Sequence, residues 1–490
     1  MALSMILSSS TVLASETRIT VYSGDFDSVS ASVPSANMPG LAQVSQTINN
    51  DSAHDSKLST DRLPLAIDVG SVQLIPNNPR VRVSSQRYDF ALLTQDQLLQ
   101  QAIGQRVVVE QVAGNDTRRF SGVLLSAGDG LALQQDDGRL HVLARYDSFE
   151  LERAPEGISA RPALRWILDG TRSNKEDFRL DYATGGLGWQ AEYLISLDGA
   201  AQHGHMAMSG AAQVVNRSGL DYPATNLTLV AGSPNRARAT APGNVMMMAM
   251  PAPAPKSRMA EASYDAGIQA QDSGEYHAYP LPKPVDLPNG SLQRVSLLDS
   301  VQGIEFQRRY EVGQTTSGYR PSYPQLQWGE QAQSIPVGVS LVFANDKAAG
   351  LGQPLPAGRV RVFQAGANGD ELLGESRIAH SASGQKIELA LGTVFDLSAK
   401  RQSTAFKLAD DRLSLSETIE VTLSNAKAQA VTINLHENLS RWQDWEISNA
   451  SQAWKPVNAQ SIDFDVKVPA QGETVVRYTV TYRWPINVRP

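Results

Sequence analysis

The most distinctive donor chemistry in this chain lies in His203, His205, Met206 and Met208, four side chains within six positions, echoed by the run VMMMAM at 245–250. Six of the ten methionines fall in these two runs. Imidazole and thioether donors select soft copper, Cu(I) above all, over hard cations. The chemistry on offer is therefore periplasmic copper binding. Against it, HGHMAMSG also reads as a turn leading into a strand, and VMMMAM sits in low-complexity sequence, neither of which requires a metal or any other cofactor. A second constellation is aromatic. Trp442, Trp445 and Trp454, with Arg441, form a platform for a glycan or peptide if they are exposed, whereas tryptophan's size more often places it in a core or at its rim.

Catalytic patterns break down on inspection. Ser424 and Lys427 have the serine-x-x-lysine spacing of acyl-transferring nucleophiles, but that pair must share a helical turn, and here it links two strand-like segments. His436 and Glu437 open like a zinc-protease motif, yet position 440 is Ser440 where the second histidine is needed. Asp25 with Asp27, and Asp136 with Asp137, lie in turn-like sequence, where carboxylates cap amides or face water. Gly185, Gly186 and Gly188 precede no helix, so they serve tight backbone geometry rather than a phosphate. No residue is assigned as catalytic. The reading is a non-enzymatic protein acting through binding surfaces, and the rival is an envelope-polymer hydrolase whose acid pair forms only in the fold.

The elements that must position these residues are strands. In SIDFDVKVP, Ile462, Phe464, Val466 and Val468 alternate with polar residues, and in ETVVRYTVTYRWP, Val476, Tyr478, Val480, Tyr482 and Trp484 share one face. The turn between them makes a hairpin the economical expectation. Ile419, Val421 and Leu423, then Val431, Ile433 and Leu435, repeat the pattern, which predicts an immunoglobulin-like β-sandwich over 413–490. Further sandwich-type strands are expected across 275–412, and 237–274 reads as a flexible linker rich in Ala, Pro, Met and Ser. Residues 161–236 form the first part of a β domain. Residues 104–160 predict a small barrel, SH3-like or Sm-like, with Asp137 and Gly138 marking a tight hairpin. Within 15–103, RITVYSGDFD predicts a first strand, the Ser-, Asn- and Asp-rich sequence through Asp61 reads as a loop or insertion, and TQDQLLQQAIG predicts a short helix capped by Thr94 and Gln97 and stopped by Gly104. The fold class expected is all-β and multidomain.

The run LSETIEVTLSNAKAQAVTINLHENLSRWQDWEISNAS, followed by IDFDVKVPAQGETVVRYTVTYRWP, resembles the bacterial family of domain of unknown function 4139. DFRLDYATGGLGWQAEYLISLD and NRSGLDYPATNLTLVAGSPNR resemble the opening part of the same domain, so the resemblance covers the C-terminal two thirds of the chain. The chain is more distantly similar to mucoidy-inhibitor-like proteins, without their coiled coil. The resemblance implies a fold and a compartment, not a reaction.

Composition narrows the partners. A net charge of −7 with interspersed signs leaves no basic face for nucleic acid. The absence of cysteine excludes disulfides, thiol catalysis and zinc thiolate sites. Residues 1–14 end in Val12, Leu13 and Ala14, small and apolar before Ser15, which fits a signal-peptidase site without the usual basic start. No later apolar run reaches the ~20 residues of a spanning helix. The expected setting is the periplasm or cell envelope, and the expected partner an envelope protein or glycan.

Overall fold

The computed structural model describes residues 17–50, 56–89, 95–113, 116–153, 162–170, 176–235, 270–313, 321–327, 332–366 and 369–488. Its elements are nearly all strands, and the chain divides into two compact units. The linker expected over 237–274 lies mostly outside the described residues, as do the run 245–250, Thr94 and the cleavage site expected before Ser15.

The first unit takes Met1–Trp189, Val215–Val230 and Lys283–Gln293. In its main sheet, Thr17–Tyr22 pairs in parallel with Tyr222–Ala231 and antiparallel with Ala42–Asn50, which pairs in turn with Glu176–Thr184, itself next to Ile67–Pro76. The strand Ala42–Asn50 therefore occupies sequence expected to be a loop. Its composition is polar, but two neighbours satisfy its backbone, and Ala42 and Val44 are buried. A three-stranded sheet sets Ala163–Gly170 between Lys57–Thr60 and Val81–Asp89. Gly186 takes φ 80°, and a Cβ there would lie 2.7 Å from the Ser218 Cα, so the glycine cluster does serve tight backbone packing.

The stretch expected to close as a barrel forms an open five-stranded sheet, with Ser148–Leu151 and Leu140–Leu143 at its two ends. The helix Gln95–Gln101 covers its apolar face through Leu99, packed with Val107, Val109, Leu124 and Leu133. With the helix supplying cover, the sheet needs no closure to bury that face. Gly138, at φ 82°, makes the expected tight turn between Leu131–Gln134 and Leu140–Leu143.

The second unit takes Gln190–Val214, Ala231–Pro282 and Arg294–Pro490. Its core joins Val476, Tyr478, Val480, Tyr482 and Trp484 to Ile462, Phe464, Val466 and Val468, all buried as the alternation predicts. The pairing differs from expectation. Ser461–Val468 pairs with Val431–Asn438 and Trp454–Asn458, whereas Gly472–Arg483 pairs with Ser414–Asn425 and Trp445–Ser448. The predicted hairpin is thus an arch carrying the chain from one layer to the other, so that Phe464 and Tyr478 meet across the core with ring centroids 5.4 Å apart and the rings tilted by 33°. The Asn425 amide pins the arch by donating to the carbonyls of Gln429 and Pro469, each at 2.9 Å.

Candidate binding surface

Strand alternation splits the histidine and methionine cluster. In His203–Asn216, His203 and His205 are exposed on one face while Met206 and Met208 are buried on the other. The copper set is therefore not formed: imidazoles and thioethers on opposite faces of one strand cannot share an ion. The backbone N–H of His205 is instead held by the Asp198 carboxylate at 3.1 Å.

The aromatic constellation is likewise divided. Arg441 is consumed internally: it donates to both carboxylate oxygens of the buried Glu417, at 2.6 and 2.9 Å, and to the carbonyls of Gln325 and Gln327. Its guanidinium also lies 5.2 Å over the Phe406 ring. Trp442 is buried in the core. Trp445 and Trp454 do meet, at 6.2 Å with an edge-on geometry, and the Trp445 indole donates to the Ala459 carbonyl at 2.9 Å. Each sits on the last strand of its layer, so the pair closes the open side of the sandwich. Trp454 is the most exposed of the three, at 36%, and Trp445 is half-buried.

Sequence reading missed charges set at inward positions. Glu417 and Glu437 fall in phase with the buried residues of Ser414–Asn425 and Val431–Asn438, and both are buried. Arg401 donates to both oxygens of Glu437, at 3.2 and 3.0 Å, and the Tyr478 hydroxyl donates to the same carboxylate at 2.6 Å. Burial alone would lower the Arg401 pKa, but Glu437 and its neighbours outweigh it and raise it; burial first, then Glu437, pushes the Tyr478 hydroxyl well up. The signal available in sequence was a charge on the apolar phase of a strand.

A polar hollow of about 300 Å³ opens on the outer face of the same unit, lined among others by Gln202, Arg309, Lys386, Asn434, Lys455 and Asp465. It forms where Val431–Asn438 runs beside Ser291–Val312 in parallel only from Ile433 to Leu435. Beyond that, the Gln202 side chain takes over, donating to the Thr432 carbonyl at 3.1 Å and accepting from its N–H at 3.2 Å. The Asn434 amide reaches two carboxylates, Asp465 at 2.9 Å and Asp463 at 3.3 Å. Lys455 donates to Asp465 at 2.6 Å, and Lys455 first, then Asn434, hold the Asp465 carboxyl below the usual carboxylate range. Asp463 is engaged by His436 Nδ1 at 2.7 Å. Strand alternation puts Lys455 on this face and Trp454 on the opposite one.

Among the described residues no group of three or more His, Cys, Asp or Glu side chains is arranged to hold a metal, and no helix is long and apolar enough to cross a membrane. No curated protein matches the chain. The family model described as a domain of unknown function, DUF4139, matches residues 178–486, a span holding the hollow, the buried ion pairs and the sandwich core. That match covers more than half of the sequence, and the chain belongs to the DUF4139 family.

Proposed function

We propose that this chain is an exported, non-enzymatic protein of the bacterial envelope that acts by binding a protein or glycan at the hollow of its second unit. The observation that carries the reading is the state of the acids. Hydrolysis of an envelope glycan needs one carboxylic acid kept protonated near neutral pH beside a second carboxylate. Asp465, the acid that lines the hollow, is no such group, because Lys455 and Asn434 hold its carboxyl below the usual carboxylate range. The buried pair, Glu417 and Glu437, is neutralised by Arg441 and Arg401. What is left at the hollow is a set of fixed donors and acceptors, which suits recognition. Export is supported by the small apolar segment before Ser15 and by the absence of cysteine.

The test is a comparison in envelope extract of the native chain with Arg309→Glu and Lys455→Glu, each carrying a cross-linker at the hollow. One partner captured by the native chain and lost in both variants is expected. Equal capture by all three overturns the hollow as the site, and turnover of any envelope polymer by the purified chain overturns the non-enzymatic reading. Fractionation with N-terminal sequencing tests export, since the intact chain in the cytoplasm would remove the envelope role.

A further inference from the structure

We propose that the first unit carries a separate binding site for a neutral saccharide. A recess of about 590 Å³ lies between Gln46, Thr47, Ile48 and Asn49 on one side, Leu58, Ser59 and Thr60 on another, and residues 220–224 on a third. Its volume is in the range of small-ligand sites. The apolar part of the wall is supplied by Leu58, Leu220 and Tyr222, all buried.

The polar part is unusual in being unoccupied. Among the described residues the side chains of Gln46, Asn49 and Ser59 make no hydrogen bond, although each can donate and accept. The Thr60 hydroxyl is used only as acceptor for the Arg62 N–H, at 3.3 Å, so its proton is still available. One cation, Arg62, and one anion, Asp221, line the recess, and Asp221 already accepts from the Asn289 N–H at 2.7 Å. The described lining has no net charge with which to select an anion or a cation. An apolar ligand would leave the amides and hydroxyls unpaired, which is costly once water is displaced. A sugar satisfies both parts, its hydroxyls pairing with Gln46, Asn49, Ser59 and Thr60 while its C–H face covers the apolar wall. An extended peptide would instead seek a run of backbone groups, whereas the groups offered here are side-chain amides and hydroxyls.

This site does not depend on the hollow of the second unit. The experiment is a calorimetric titration of the full chain with chitobiose and maltotriose as neutral saccharides, an oligogalacturonate as the anionic counterpart, and an uncharged unstructured hexapeptide. Saturable binding of a neutral saccharide is expected, weakened roughly tenfold or more in the double variant Gln46→Ala, Asn49→Ala and unchanged in Lys455→Glu. An unchanged melting curve for the double variant confirms that lost binding is not lost folding. The proposal fails if neither neutral saccharide binds at millimolar concentration, if the oligogalacturonate or the peptide binds more tightly, or if the double variant binds as the native chain does.

Discussion

The recess of the first unit and the hollow of the second are both polar, but they spend their polar groups differently. Around the recess, the side chains of Gln46, Asn49 and Ser59 make no hydrogen bond among the described residues, and the two charges in the described lining, Arg62 and Asp221, balance. Around the hollow, Asp465 is bound to Lys455 and Asn434, Asp463 to His436, and Arg309 to Glu311 at 2.6 Å. Neutral groups that face water exchange it for a ligand with little dependence on salt or pH. Paired charges exchange one ion for another, so their binding responds to both. The second unit also buries Glu417 and Glu437 among apolar side chains, where each is a structural charge that cannot lose its arginine partner cheaply.

The largest effect is expected where a new charge joins those buried ones. Val480 is fully buried and lies opposite Glu417 in the ladder, so Val480→Asp puts an unpaired carboxylate beside another carboxylate in the core. It should unfold the second unit, at a cost above about 4 kcal/mol. Thr479→Asp, one residue away, removes only the 2.9 Å contact with the Thr418 hydroxyl and should cost on the order of 1 kcal/mol. Equal melting temperatures for the two variants would show the inward face to be misassigned.

Next in size is removal of one partner from a buried pair. Glu417→Ala leaves the largely buried Arg441 guanidinium without its carboxylate and should cost about 3–5 kcal/mol. Asn49→Ala at the recess should stay within about 0.5 kcal/mol of the native chain, because an exposed side chain with no hydrogen bond among the described residues is lost. Chemical denaturation of both variants decides it, and a large loss for Asn49→Ala would mean that the recess is structural.

Acid should separate the units by a smaller margin. In the second unit, burial raises the Glu192 pKa, but Arg359, Arg361 and Arg294 more than reverse it, and the net direction is down; Arg477 likewise lowers Glu420. A carboxylate lowered in the folded state contributes stability above its unfolded pKa, roughly 4.3, and loses it as pH falls through the folded value. In the first unit the lowered carboxylates, Asp89 beside Arg165 and Asp136 beside Arg106, belong to exposed pairs that water already screens. Between pH 6 and about pH 3, the melting transition of the second unit should therefore fall further than that of the first. A scan in which both fall together would remove the distinction. The smallest effect is Lys455→Ala: it removes an exposed pair with Asp465 that water already screens, so the melting temperature should barely move, and least of all in high salt.

The sequence by itself determined which side of each strand faces inward. The alternation of Val476, Tyr478, Val480 and Tyr482, and of Ile462, Phe464, Val466 and Val468, is a property of neighbouring residues, and every one of these side chains is buried. It also determined the all-β class, the helix Gln95–Gln101 and the turn at Gly138. The candidate sites were scarcely legible, because the residues that line them come from distant stretches. Gln202, Arg309, Asn434 and Lys455 meet only after the second unit has formed, and Gln46, Ser59 and Tyr222 only after the first has. What tertiary structure alone decided was partnership. An inward face is equally satisfied by a neighbour in the same sheet or one across the core, so periodicity predicted a hairpin where Ser461–Val468 and Gly472–Arg483 lie in opposite layers. Likewise the polar strand Ala42–Asn50 is held by ladders to Thr17–Tyr22 and Glu176–Thr184, because backbone hydrogen bonds carry no signature in side-chain composition.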